Sequence, residues 1–251
     1  MWTFVDAQGN ASDLGEYSWT FNVTAGGAER KFAFAFGCRV AVNSVTMDFV
    51  RTDSAAGTDV PVIQEIQDNN GASGCMAWHG YFTAAQLADV NDTTITIVTN
   101  LSANSIRAAA CLWESAESAL VLPPFDSAED SDPVNGGAAS QLDLNVDVPA
   151  DGSILGWAFA GDVGGSDAFT VTGITEDEQA QVAGENARYL AAHTNGLSVE
   201  TNRTIQFTQS GAGTNLFSVV GISSAWEKTA SGLIMPTGLQ GGIHRLSGGV
   251  R

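Results

Sequence analysis

The chain has very little positive charge. Only 10 of its 251 residues are Lys or Arg, against 28 Asp and Glu, so the formal net charge is −18. The lysines are Lys31 and Lys228 alone. So acidic a surface repels phosphate backbones and anionic lipid head groups. We therefore expect neither nucleic-acid nor membrane partners.

Cysteine is also scarce. Cys38, Cys75 and Cys111 are an odd number at wide spacing, with no CxxC pair, so the sequence gives no disulfide framework. Residues 1–6 lack the basic region of a signal peptide. No apolar run approaches the roughly 18 residues that a membrane helix needs. We expect a globular fold that is stabilised by its apolar core.

Catalytic and metal-binding motifs are missing from the sequence. There is no GxSxG elbow and no glycine-rich phosphate loop. Cys75 and His79 are two ligands where structural zinc takes four. The stretch Asp143–Asp147 has the spacing of a calcium loop but alternates like a strand, and the acidic run Asp126–Asp132 is typical of a solvated linker. We predict no enzymatic activity, no cofactor and no metal site.

What the sequence does contain is alternation. Tyr17, Trp19 and Phe21 alternate with small polar residues, and Phe32, Phe34 and Phe36 alternate with Ala and Gly. In the second half Leu142, Leu144, Val146 and Val148 alternate with polar residues. This period of two indicates strands with one buried face, and 28 glycines suit short strands joined by turns.

The strand pattern occurs twice. At an offset of 125, Phe21 matches Val146 and Gly27 matches Gly152, and the same offset carries Phe32-Ala33-Phe34 onto Trp157-Ala158-Phe159. At an offset of 113, Ile106 to Glu114 matches Val219 to Glu227. We predict an all-β chain of two tandem related antiparallel β-sandwiches with extended terminal arms. The alternative is one large jelly-roll sandwich whose halves share only a strand pattern.

The composition suggests five segments. Their expected bounds are an N-terminal arm at 1–15, a first sandwich at 16–115, an acidic Pro- and Gly-bearing linker at 116–140, a second sandwich at 141–228 and a Gly-rich C-terminal arm at 229–251. The last arm is too apolar for a simple flexible tail and too rich in Gly for a helix. We expect it to dock on a neighbouring subunit through Leu233, Ile234, Met235, Ile243 and Leu246. The alternative is a disordered end.

Exposed aromatic residues would favour sugar binding, because aromatic faces stack on sugar rings. Trp19, Trp113, Trp157 and Trp226 fall inside patterned strands, so we expect them in the cores. Trp2 and Trp78 are the freer candidates for an exposed binding surface.

Residues 17–228 resemble the β-sandwich virion proteins of tailed bacteriophages. The resemblance lies in Val146 to Ile154, Phe169 to Asp177 and the Ser-Ala-Trp at 224–226. It implies a non-enzymatic structural or adhesive subunit of a capsid decoration, tail or fibre, assembled in the host cytoplasm as a homo-oligomer. Its partners would be copies of itself, neighbouring virion proteins and a host-surface glycan. The alternative function is a carbohydrate-binding module or lectin-like adhesin.

Overall fold

The computed structural model describes residues 1–24, 26–40, 45–52, 59–69, 74–132, 139–161, 168–182, 187–210 and 218–229. Within these ranges the chain forms sixteen β-strands and one short 3₁₀ turn at Ala84–Gln86. The expected all-β class is confirmed.

The first eight strands form one sandwich. They are β1 (Thr3–Asn10), β2 (Glu16–Asn22), β3 (Lys31–Val40), β4 (Met47–Thr52), β5 (Val62–Asn69), β6 (Gly74–Thr83), β7 (Thr94–Leu101) and β8 (Ser105–Ser115). Five of them make a sheet in the order β1-β8-β3-β6-β5, and three make a facing sheet in the order β2-β7-β4.

The last eight strands form a second sandwich. They are β9 (Asp126–Asp132), β10 (Ser140–Val148), β11 (Gly152–Gly161), β12 (Phe169–Thr172), β13 (Thr175–Gln181), β14 (Ala187–Leu197), β15 (Glu200–Gln209) and β16 (Ser218–Trp226). The sheet orders are β9-β16-β11-β14-β13 and β10-β15-β12.

The two sandwiches have the same topology. Adding eight to each strand number of the first sandwich reproduces both sheets of the second, and all pairings are antiparallel. Each sandwich has the strand order of a jelly roll, except that its fifth strand pairs with the sixth instead of the fourth. The prediction of two related sandwiches is therefore confirmed over the alternative of one large sandwich.

The alternating strands bury one face, as expected. In β2 the side chains of Tyr17, Trp19 and Phe21 are buried while those between them are exposed. They pack on Phe32, Phe34, Phe36 and neighbouring apolar residues to form the first core. Leu142, Leu144, Val146 and Val148 of β10 occupy the same place in the second core.

A third apolar cluster joins the two five-stranded sheets face to face. The first sheet contributes Trp113 and small residues such as Ala35 and Ala77, and the second contributes large residues such as Trp157 and Phe159. We call this buried layer the seam. Within it β1 lies against β13, and β5 lies against β9. β1 corresponds to β9, and β5 corresponds to β13, so exchanging the two sandwiches turns one contact into the other. The seam therefore has the reciprocal pattern of a twofold interface.

The structure corrects the expected N-terminal arm. Residues Thr3–Asn10 of that arm form β1 and pair with β8 along their length. A register shift between Phe4 and Asp6 interrupts the strand, so its side chains do not alternate regularly. The alternation that identifies β2 and β10 is therefore weak in β1.

The structure also corrects the acidic linker. Within the predicted linker at 116–140, the residues Asp126–Asp132 form β9, the edge strand that pairs with β16. The C-terminal arm lies, apart from Thr229, outside the described residues, together with Leu233, Ile234, Met235, Ile243 and Leu246.

Candidate functional site

A cleft opens at one side of the first sandwich. It lies between β4 and the start of β5, encloses about 220 Å³, and is lined by Met47, Asp48, Phe49, Val50, Asp59, Val60, Val62, Glu65 and Trp78. These residues come from separate strands. They meet because β5 joins the five-stranded sheet while β4 stays in the three-stranded sheet. The two sheets therefore leave a gap between these strands.

The lining of the cleft combines apolar surface with carboxylates. Trp78 belongs to the first core and leaves only 3% of its surface accessible, whereas Val62 is 56% exposed at the rim. Asp48, Asp59 and Glu65 are the acidic groups. Glu65 accepts a hydrogen bond from the Met47 amide at 3.5 Å, and partial burial raises its pKa, with a further contribution from nearby Glu129.

Two of the residues that line the cleft, Phe49 and Asp59, contact a guanidinium group. Arg51 lies 4.2 Å from the centre of the Phe49 ring, and its Nε donates to Asp59 Oδ1 at 2.5 Å. An aromatic face and a carboxylate together are a favourable environment for a cation. Asp48 and Glu65 supply further carboxylates in the rest of the cleft.

In the second sandwich a side chain joins β12 and β13, the strands that correspond to β4 and β5. There Gln179 of β13 donates from Nε2 to the Phe169 carbonyl at 3.0 Å and accepts from the Phe169 amide at 3.1 Å, so its side chain ties β13 to β12. β12 and β13 are also joined by only two residues, Gly173 and Ile174. In the second sandwich a side chain therefore bridges the two strands that correspond to β4 and β5.

A second group of polar side chains lies at the edge of the seam. Asp177 accepts a hydrogen bond from Trp113 Nε1 at 3.0 Å and lies 2.5 Å from Nδ1 of His193, so one carboxylate links both sandwiches. Beside it the Tyr189 hydroxyl donates to Glu178 at 3.0 Å, and partial burial together with the charge of Asp6 raises the pKa of Glu178. The bond from Trp113 to Asp177 joins the two sheets, and the other bonds join β13 to β14 within the second one. We assign these residues a structural role.

The aromatic residues expected to be exposed are both buried, so that prediction was wrong. Trp2 is 1% exposed and packs edge-on against Trp226 at a ring distance of 5.0 Å. Trp78 packs in the first core near Phe34. β1 brings Trp2 into the seam, and a patterned strand turns Trp78 inward, so neither offers a ring face as a sugar platform.

The possible metal ligands behave as strand residues. Asp143 and Asn145 lie on the outward face of β10 and bind Gln206 and Thr204 of β15. Cys75 and His79 face the buried seam from β6. Among the described residues, no group of three or more His, Cys, Asp or Glu is arranged to hold a metal ion.

Sequence reasoning missed the cleft altogether. Asp48, Asp59 and Glu65 are spread over three segments, and nothing in their spacing indicates that they meet. A usable signal would have been the longer connection between β4 and β5, compared with the two residues between β12 and β13.

Comparisons with known proteins add little. No protein-family model matches the chain, and no curated protein matches it. Among solved structures, the C-terminal domain of the Streptococcus agalactiae AgI/II polypeptide BspA has 12% identity and a TM-score of 0.21, with 92% of this chain and 91% of that chain covered. A second structure of BspA has 12% identity and a TM-score of 0.20. Scores this low support no argument about function.

In the part of the chain that the structure describes, no helix has the length and apolar character to cross a bilayer.

Proposed function

We propose that the chain is a non-enzymatic structural or adhesive subunit of a tailed-phage virion, built by assembly with copies of itself and neighbouring virion proteins. The observation that carries the proposal is the seam. Its buried aromatic and aliphatic side chains join two sandwiches into one body. A body held together in this way suits a building block, because it transmits load without bending between its domains.

The outward surfaces support the same role. With both five-stranded sheets buried in the seam, the three-stranded sheets face outward, and their exposed sides are polar. The outer face of β2 carries Glu16, Ser18, Thr20 and Asn22, and that of β10 carries Gln141, Asp143 and Asn145. Such faces give solubility to the free subunit. Specific contacts would then come from a few sites and from the segment after Thr229.

The start of that segment is fixed on the body. Thr229 donates to the Ala119 carbonyl from its amide at 2.8 Å and from its hydroxyl at 2.9 Å. Lys228 binds Glu117 at 3.2 Å and lies 3.7 Å from Asp151. A segment that starts at a fixed point can reach a neighbouring subunit in a defined direction.

Light scattering of the purified chain, with and without residues 230–251, tests the assembly role. We expect the full chain to form an oligomer and the shortened chain to be a folded monomer, with folding checked by circular dichroism. A full-length chain that remains monomeric over the whole accessible concentration range would contradict the proposal. Mass spectrometry of purified phage particles tests the virion location, since a structural subunit is present in many copies per particle.

A further inference from the structure

We propose that the cleft beside β4 and β5 is the docking site for residues 230–251 of a neighbouring copy. This inference rests on the proposed function as an assembly subunit, and it names the site that receives the segment. The first step is the asymmetry between the two sandwiches. The cleft opens between β4 and β5 in the first, while in the second the Gln179 side chain joins the corresponding strands β12 and β13 by hydrogen bonds.

The second step is the chemistry of the cleft. The rim of the cleft offers apolar surface at Val62, and its walls present the carboxylates of Asp48 and Glu65. Among the described residues, neither carboxylate forms a hydrogen bond with a cationic side chain. An occupant that fits must bring apolar side chains and a cation together. Phe49 and Asp59, two of the lining residues, already bind the guanidinium group of Arg51.

The third step is the composition of residues 230–251. The segment contains none of the 28 acidic residues of the chain and two of its ten basic residues, Arg245 and Arg251. Ile243 and Leu246 flank His244 and Arg245, so apolar and cationic groups are adjacent. On a chain with a net charge of −18, this is the segment whose charge complements an acidic cleft.

A saccharide is the competing occupant, because carboxylates accept hydrogen bonds from hydroxyl groups and aromatic rings stack on sugars. The cleft gives it little ring surface. Trp78 is almost completely buried, and one face of Phe49 is covered by Arg51. The remaining groups favour a cationic peptide over a neutral sugar.

Disulfide cross-linking of the full-length chain tests the proposal. One variant carries Val62→Cys at the rim of the cleft, and a second carries Leu246→Cys in the segment. The native Cys38, Cys75 and Cys111 are all buried and do not compete. Mixing the two variants under mild oxidation should give a covalent dimer whose Val62→Cys to Leu246→Cys linkage is identified by mass spectrometry. Val199→Cys is the matched control, because Val199 is similarly exposed, at 67%, on the second sandwich.

Charge variants test the recognition itself. Arg245→Glu should lower the cross-linking rate about two- to fivefold, the range of an exposed ion pair. Glu65→Lys in the partner variant should restore the rate. This charge exchange separates electrostatic recognition from general loss of folding, because two damaging changes together would not recover the product.

The outcomes distinguish this inference from the proposed function. A linkage within one chain, found in a doubly substituted variant but absent from the mixture, would overturn docking between copies. Equal cross-linking at Val199→Cys and Val62→Cys would show that the contact is unspecific and overturn the site. If light scattering finds an oligomer and no cleft linkage forms, assembly uses another surface. Protection of Val62→Cys by a monosaccharide, without any linkage, would assign the cleft to a sugar and also overturn the inference.

Discussion

At the scale of single residues, the seam contains a buried histidine, His79, whose protonation would destabilise the fold. It is 1% exposed, and burial lowers its pKa to about 3. Its Nδ1 lies 3.5 Å from Ser224 Oγ, which also accepts a hydrogen bond from Trp226 Nε1. Its Nε2 has no hydrogen-bond partner among the described residues. Protonation would therefore place a poorly solvated charge between the two sandwiches.

The expected consequence is a loss of stability in mild acid. Below a pH of about 6.5 the unfolded chain binds a proton at this residue while the folded chain does not, so the free energy of unfolding falls with pH. The loss is at most about 1.4 kcal/mol per pH unit, and it ends near the folded pKa of about 3. Above pH 6.5 the residue contributes no pH dependence.

Urea unfolding of the natural chain and of His79→Gln, at pH 7.5 and pH 4.5, measures this effect. The natural chain should lose about 2 to 3 kcal/mol more than the variant between the two values. Because each protein is compared with itself at the two pH values, the cost of the substitution at neutral pH cancels. An equal loss in both proteins would show that His79 is not the acid-sensitive group.

At the scale of elements, β9 explains the acidic run. Its aspartates reach across to β10: Asp126 accepts from the Asp147 amide at 2.7 Å, Asp130 from the Asp143 amide at 2.9 Å, and Asp132 from the Ser140 hydroxyl at 2.9 Å. β10 is an edge strand, and Asp126 and Asp130 bind two of its amides that could otherwise pair with another chain. The carboxylates therefore close one side of the second sandwich.

Replacement of Asp130 tests this role. Asp130→Ala should lower the free energy of unfolding by about 0.5 to 1.5 kcal/mol, because the Asp143 amide loses its acceptor. Asp130→Asn keeps an acceptor oxygen of similar shape and should cost clearly less. Thermal and urea unfolding of the three proteins decide the matter. If Asp130→Asn loses as much stability as Asp130→Ala, then β9 stabilises the sandwich through the charge of Asp130 and not through its hydrogen bond.

The strands found from the sequence and those missed differ in a physical way. β2 and β10 bury one face and expose the other, so Tyr17, Trp19 and Leu142 reveal them. β1 and β9 lack this alternation: a register shift interrupts β1, and the side chains of β9, Asp126–Asp132, are almost all polar and partly exposed. The place of such a strand in the sheet depends on backbone pairing that composition does not encode.

The repeat was recognised better at its ends than in its middle. Trp113 and Trp226, which match at an offset of 113, both face the seam. The offset of 125 holds between β2 and β10, but in the next strand it pairs Phe32 with Trp157. Phe32 faces the first core and Trp157 faces the seam. The connections before β3 and β11 differ in length, and a shift of one residue turns a strand over.

At the scale of the whole molecule, the seam depends on unequal partners. Ala33, Ala35 and Gly37 of β3 are small, and they leave room for the large side chains of β11. In the sequence these small residues look like the outward half of an alternating strand. Alanine and glycine do not reveal whether a face meets water or another sheet, so the burial of both faces of β3 could not be predicted.

At Gly37 the two sheets leave no room for a side chain. A Cβ atom there would lie 2.8 Å from both Cβ and Cγ of Phe159. The Phe159 Cβ is attached directly to the backbone of a central strand, so rotation of the ring cannot remove the clash. Gly37→Val must therefore push the sandwiches apart, at a cost of about 1 to 3 kcal/mol.

Scanning calorimetry of Gly37→Val tests whether the seam makes the molecule one cooperative unit. We expect the natural chain to unfold in a single transition. The variant should melt at lower temperature and resolve two transitions, since each sandwich retains its own core when the contact between them weakens. Gly27→Ala is the control, because a Cβ at Gly27 meets no atom within 4 Å. An unchanged single transition in Gly37→Val would mean that the seam tolerates the added volume and that the sandwiches are less tightly coupled than their buried faces imply.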